Sequence, residues 1–136
     1  LSKLMEQLNI PPTPACVDMP VHFGGPVEPG RGFVLHSADF MTDSSMRVDS
    51  RRALTATLDI LRAVAEGRGP RQCLMALGYS GWGAGQLDAE LRDNAWLVVP
   101  ADDALLFGRE NPKKWQRAIA KLGIDPAKLS STAGNA

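Results

Sequence analysis

Apolar residues fall into short runs of two kinds, and their spacing predicts helices alternating with strands. Leu4, Met5 and Leu8 share one helical face behind Ser2, an N-cap residue, and Pro11-Pro12 stops that helix. Pro11 to Pro20 is expected as a loop. Val21-His22-Phe23 and Phe33-Val34-Leu35-His36 read as strands joined through Gly24-Gly25-Pro26, Pro29-Gly30 and Gly32, which predicts a hairpin. A polar loop from Ser37 to Ser45 precedes Met46-Arg47-Val48. Thr57 then caps the clearest helix, with Leu58, Ile60, Leu61, Val64 and Ala65 on its apolar side and Gly67 and Gly69-Pro70 ending it.

The run Cys73-Leu74-Met75-Ala76-Leu77 reads as a strand covered on both faces. Gly78 to Gly85 is a loop, and Gln86 to Arg92 a helix with Leu87 and Leu91 inward, which Asn94 stops by taking a left-handed turn. Trp96-Leu97-Val98-Val99 reads as another strand, so residues 73–99 predict a strand, helix, strand crossover, right-handed and parallel if both strands share a sheet. Ala104 to Phe107 predicts a short helical turn, and Pro112 opens a helix that runs to Leu122 and ends at Gly123. Residues 1–128 are expected to form one α/β domain of α+β character with a mixed sheet, and residues 129–136 a flexible tail.

Composition narrows the class. The 136 residues carry 15 Lys+Arg against 15 Asp+Glu and are 44% apolar, enough for a core without disulfides. The balance argues against a protein that holds nucleic acid mainly by charge, and against a disordered chain. It conceals segregation: residues 1–45 hold two cations and five carboxylates, 46–72 six and three, 73–108 one and five, and 109–136 six and two. Cys16 and Cys73 are isolated and expected as two buried thiols. With no apolar run near the roughly 20 residues of a membrane span and no signal-peptide order at the start, a cytoplasmic location is expected.

Candidate chemistry concentrates in two glycine-rich turns. Gly78, Ser80, Gly81, Trp82 and Gly83 lie between an expected strand and a helix, where backbone amides hold phosphates or carboxylates. The dinucleotide fingerprint fails because Gln86 replaces its third glycine, although Asp102 has the spacing of a ribose-binding acid. Ser80 has the place of an elbow nucleophile, with His22 or His36 as its base, but bulky Trp82 stands where that elbow needs glycine. The plainer alternative is that these glycines let Tyr79 and Trp82 fold over the sheet end.

Gly24 and Gly25 with Arg31 form the second turn, Arg31 being a candidate anion clamp or, more plainly, a surface arginine beside a tight turn, and His36 is a further candidate for the ligand site. No metal-ligand spacing occurs, so neither metal nor cofactor is expected. Lys113, Arg117 and Lys121, with Lys114 adjacent, stripe the last helix opposite Trp115, Ile119 and Leu122, and Arg47, Arg51 and Arg52 form a second basic cluster.

The runs Gly24-Gly25-Pro26-Val27, Arg31-Gly32-Phe33-Val34-Leu35-His36, Leu77-Gly78-Tyr79-Ser80-Gly81-Trp82, Gly85-Gln86-Leu87, Glu90 and Asp93-Asn94-Ala95-Trp96-Leu97, in this order, make the chain similar to the bacterial AlgH/YqgE family. The resemblance covers essentially the whole chain. It implies a mixed, strongly curved sheet with packed helices. It also brings the family's label of transcriptional regulator, though most members carry no assigned activity and no catalytic residues transfer. Members usually begin with a further strand-rich segment ahead of the position matching Leu1. Without it, a bare sheet edge and a tendency to self-association are expected.

The expected function is therefore a non-enzymatic regulatory module that binds a protein or small-molecule partner, without direct sequence-specific DNA reading and without a membrane role. The alternative is a small enzyme or a nucleotide- or anion-binding protein using the Gly78 to Gly85 loop.

Overall fold

A computed structural model describes residues 1–11, 13, 19–125 and 127. Two compact units divide the chain, Leu1–Ser80 and Gly81–Ala136. In the first, α1 (Ser2–Gln7) precedes β1 (Val21–Phe23), β2 (Val27–Ser37), β3 (Ser45–Arg47), β4 (Arg52–Thr55), α2 (Leu58–Ala65) and β5 (Cys73–Tyr79). The second contains α3 (Gln86–Arg92), α4 (Asp103–Phe107) and α5 (Asn111–Lys121). Cys16 and the expected tail lie outside the described residues.

The five strands form one open mixed sheet in the order β1-β5-β2-β4-β3, with β1 parallel to β5 and every other pair antiparallel. Residues directly opposite across a ladder share a face. Val21, Met75, Val34, Thr55 and Ser45 therefore make one row across all five strands. On that face Met75 and Val34 join Met5 and Ile10 from the α1 segment and Ile60 and Leu61 from α2 in the buried core. Each such Met, Ile or Leu contributes roughly 1.5–3 kcal/mol by leaving water. The other face carries Phe33, Leu35, Leu54, Leu74 and Ala76, all half-buried.

Four expectations are corrected. The β1–β2 hairpin does not form, because β5 lies between those strands. Trp96 to Val99 is not a strand: Val98 is 70% exposed, and no ladder partner faces it among the described residues. The crossover expected over residues 73–99 is therefore absent, and the parallel pair is β1 with β5 instead. Ser2 lies inside α1, whose N-cap is Leu1. Two strands escaped sequence reading: β3, whose Ser45 was expected to end a polar loop, and β4, whose short Arg-Ala-Leu-Thr run has neither alternation nor length to mark it, yet they pair with each other and β4 with β2.

The punctuation of the helices matches expectation more closely. Asn94 takes φ +59° after α3, and α5 begins with Pro112 in its first turn. Thr57 stands at the N-cap of α2 with extended backbone, but its hydroxyl makes no capping bond. Its Oγ1 is buried without a hydrogen-bond partner among the described residues. Replacing a working Thr cap costs about 1 kcal/mol. Here the hydroxyl is a desolvated group with no bond to lose, so Thr57→Val is expected to leave the urea-unfolding midpoint unchanged or raise it.

Candidate functional site

The first glycine-rich turn and the end of β5 meet as backbone on backbone. After β1 the chain must cross β5 to enter β2 on its far side, and residues 24–27 make that crossing. The Gly24 amide donates to the Leu77 carbonyl at 2.8 Å. A Cβ on Gly24 would come within 2.2 Å of the Gly78 carbonyl oxygen, and one on Gly25 within 2.2 Å of the Tyr79 carbonyl carbon. Gly78 itself has φ +78°, and its Cβ would stand 2.4 Å from the Gly25 oxygen. Gly24, Gly25 and Gly78 thus make room for a strand crossing.

Arg31 and His36 are not gathered at this crossing. Arg31 lies over the Phe33 ring, 5.1 Å from its centroid, and reaches Glu28 Oε2 at 3.3 Å. Glu28, at φ +44°, also accepts from the Tyr79 hydroxyl, which raises that phenol's pKa. Phe33 and Tyr79 meet edge to face at 5.6 Å. His36 pairs with Cys73 at the opposite end of β5, five residues from Gly78 and so roughly 17 Å along the strand. It is completely buried. Its Nδ1 donates to the Ser37 carbonyl at 2.9 Å, which leaves Nε2 to accept from the Thr55 hydroxyl at 2.7 Å. Thr55 and Ser45 hydroxyls share a further bond at 2.8 Å, and Ser45 Oγ accepts from the Thr42 amide at 3.0 Å. Nearby, hydrogen bonds from the Ser37 hydroxyl and the Arg71 amide hold the Asp39 carboxyl below its ordinary pKa.

Ser80 closes the first unit beside Gly25, whose Cβ would meet the Ser80 amide nitrogen at 2.6 Å. In the second unit, Gly81 is exposed and the Gly83 amide donates to Gln86 Oε1 at 2.9 Å. The Trp82 indole donates to Glu90 Oε2 at 2.7 Å, and the Trp96 indole reaches the same oxygen at 3.3 Å. The two rings pack edge to face at 5.8 Å. Glu90 thus binds the indoles and not the loop amides, of which those of Gly83 and Gln86 are bonded within the loop. Glu90→Leu removes the acceptor of both indoles and is expected to cost about 1–2 kcal/mol. Tryptophan fluorescence during urea unfolding reads this directly, because all three tryptophans lie beyond residue 80.

Other expected chemistry is absorbed locally. Asp102 caps α4 by accepting from the Leu105 amide at 2.7 Å and pairs with Lys121 at 2.6 Å. Arg117 pairs with Glu110, and Lys114 donates to the Leu106 carbonyl at 2.8 Å, its pKa lowered by desolvation. Much of the basic stripe on α5 is thereby neutralised within the unit. Arg52 is buried and paired with Asp49 at 2.8 Å. Cys73 is half-buried in β5. No group of three metal-ligating side chains occurs among the described residues, and none of their helices is long and apolar enough to cross a membrane. Sequence reading missed Thr55 and Ser45, which reach His36 only through strand pairing, and Glu90 as the acceptor of both indoles.

These features define an α+β protein on an open mixed sheet, with glycines serving a strand crossing. A family model described as AlgH-like matches residues 1–127, and the chain belongs to that family. It is 56% identical over 133 residues to a UPF0301 protein of Rhodospirillum rubrum, covering 98% of this chain and 69% of the relative. A UPF0301 protein of Cereibacter sphaeroides is 54% identical over 134 residues, covering 98% and 73%. The solution structure of the AlgH protein from Pseudomonas aeruginosa matches with a TM-score of 0.77 and 41% identity, over 100% of this chain and 72% of that one. Both the motif-based resemblance and the mixed-sheet fold class hold.

Proposed function

We propose that the chain is a cytoplasmic, non-enzymatic regulatory module that acts by binding a protein along an edge of its sheet. The observation that carries this reading is the exposure at the two edge strands. Phe23 on β1 is 80% exposed and Met46 on β3 is 67% exposed, while the inner strands bury their rows. An open edge offers unpaired backbone groups to an added strand, and an apolar side chain beside them gives that strand something to pack on. Balanced charge and the internally paired cations of α5 favour a protein partner over nucleic acid.

Photo-crosslinking in bacterial cells tests it, with a photoreactive side chain at position 23 or 46. A discrete protein adduct from one edge is expected, lost when Phe23→Lys or Met46→Lys is introduced at the same edge beside a neighbouring crosslinker. Absence of an adduct from both edges, or adducts indifferent to these charges, contradicts the reading.

A further inference from the structure

Between the sheet and its two covering helices the first unit contains a cavity of about 180 Å³. Leu4 of α1 and Leu8 just after it, Val34 and Met75 of the sheet, and Leu61 of α2 wall it. Gly32, which faces Leu77 in the ladder, also lines it, and the end of the Met75 side chain packs where a Cβ would stand, 2.7 Å from that position. Exposed Gly30, Ala56 and Leu58 border it on the solvent side.

Three features define what fits. The volume somewhat exceeds the roughly 150 Å³ of an engineered apolar cavity that takes up benzene. Among the described residues no charged side chain lines the space, so a charge buried there would go uncompensated and a neutral occupant is favoured. Thr55, also in the wall, already spends its hydroxyl on His36 and Ser45, whereas Thr57 in the same wall keeps a buried Oγ1 without a hydrogen-bond partner among the described residues. The mouth offers further polar groups. The ladder register of β2 breaks between Val27 and Gly32, so the backbone of Gly30 stands outside the pairing. A Cβ built on Gly30 meets nothing within 4 Å. Backbone polar groups are therefore approachable beside an apolar interior, the arrangement that orients a ligand with one polar end.

We propose that this cavity binds a small neutral molecule with a compact apolar body and one hydroxyl, of the class of simple aromatic alcohols, the ring inside and the oxygen at the Gly30 backbone. The site is independent of the edge-strand reading.

Benzyl alcohol is the probe, with benzoate as the charged counterpart of similar size, followed by methyl and amide NMR of the whole chain. Saturable shifts are expected at Val34, Leu61, Met75 and the Gly30 amide, with benzoate weaker by about tenfold or more. Gly30→Leu places a side chain in the open mouth and is expected to weaken binding by at least about tenfold with the unfolding midpoint unchanged. Ala56→Leu, at the other exposed wall, serves if Gly30→Leu fails to fold. Overturning results are shifts that do not saturate up to the probe's solubility limit, equal binding of benzoate, or undiminished affinity in the folded mouth variant.

Discussion

Gly78→Ala is expected to destabilise the first unit by about 4 kcal/mol, with Gly24→Ala close behind. At Gly78 the added Cβ faces two separate costs. The left-handed backbone, φ +78°, disfavours an L side chain by about 1–2 kcal/mol. The contact with the Gly25 oxygen at 2.4 Å is against backbone, so it cannot be relieved by a rotamer change, and overpacking of this kind adds about 1–3 kcal/mol. Gly24→Ala lacks the first cost but meets the Gly78 oxygen at 2.2 Å. Gly30→Ala, whose Cβ has open space, should stay within about 0.5 kcal/mol of the parent. Far-UV circular dichroism in urea is the appropriate readout, since no tryptophan lies in this unit. Equal stability of the three variants would show that residues 24–27 do not cross β5 as described.

His36→Ala is expected to cost about 3 kcal/mol, combining the void left by a fully buried ring with lost hydrogen bonds. The substitution deprives the Ser37 carbonyl of its donor and Thr55 of its acceptor, and removes the edge-to-face contact with Phe40 at 5.9 Å. A double-mutant cycle with Thr55→Val isolates the shared bond, with an expected coupling near 1 kcal/mol. No coupling, together with a near-neutral His36→Ala, would return His36 to the candidate ligand-binding residues.

How much of this was legible in the sequence depends on the range of each interaction. The helix of Leu58 to Ala65 and the strand of Cys73 to Leu77 were readable because a face, a run and their punctuation are local. Strand order was not: Val21 to Phe23 and Phe33 to His36 look like a hairpin until β5, some fifty residues later, takes the place between them. The same distance hid the purpose of the glycines, since Gly24-Gly25 and Gly78 each resemble an anion-binding turn when read alone. Trp96 to Val99 misled in the opposite way, an apolar run without a ladder. A structural role was visible as an alternative for the Gly78 to Gly85 loop, but as room for Tyr79 and Trp82 and not for the backbone of Gly24 and Gly25. Only the pairing could show that Arg31 and His36 go elsewhere.

The central claim, that an open sheet edge takes up a protein partner, is tested most directly by amide hydrogen exchange of the isotopically labelled chain in unlabelled bacterial extract against buffer. The account predicts new protection confined to Val21–Phe23 or Ser45–Arg47, abolished by Phe23→Lys or Met46→Lys at the protected edge. Identical exchange of both edges in extract and buffer would contradict it.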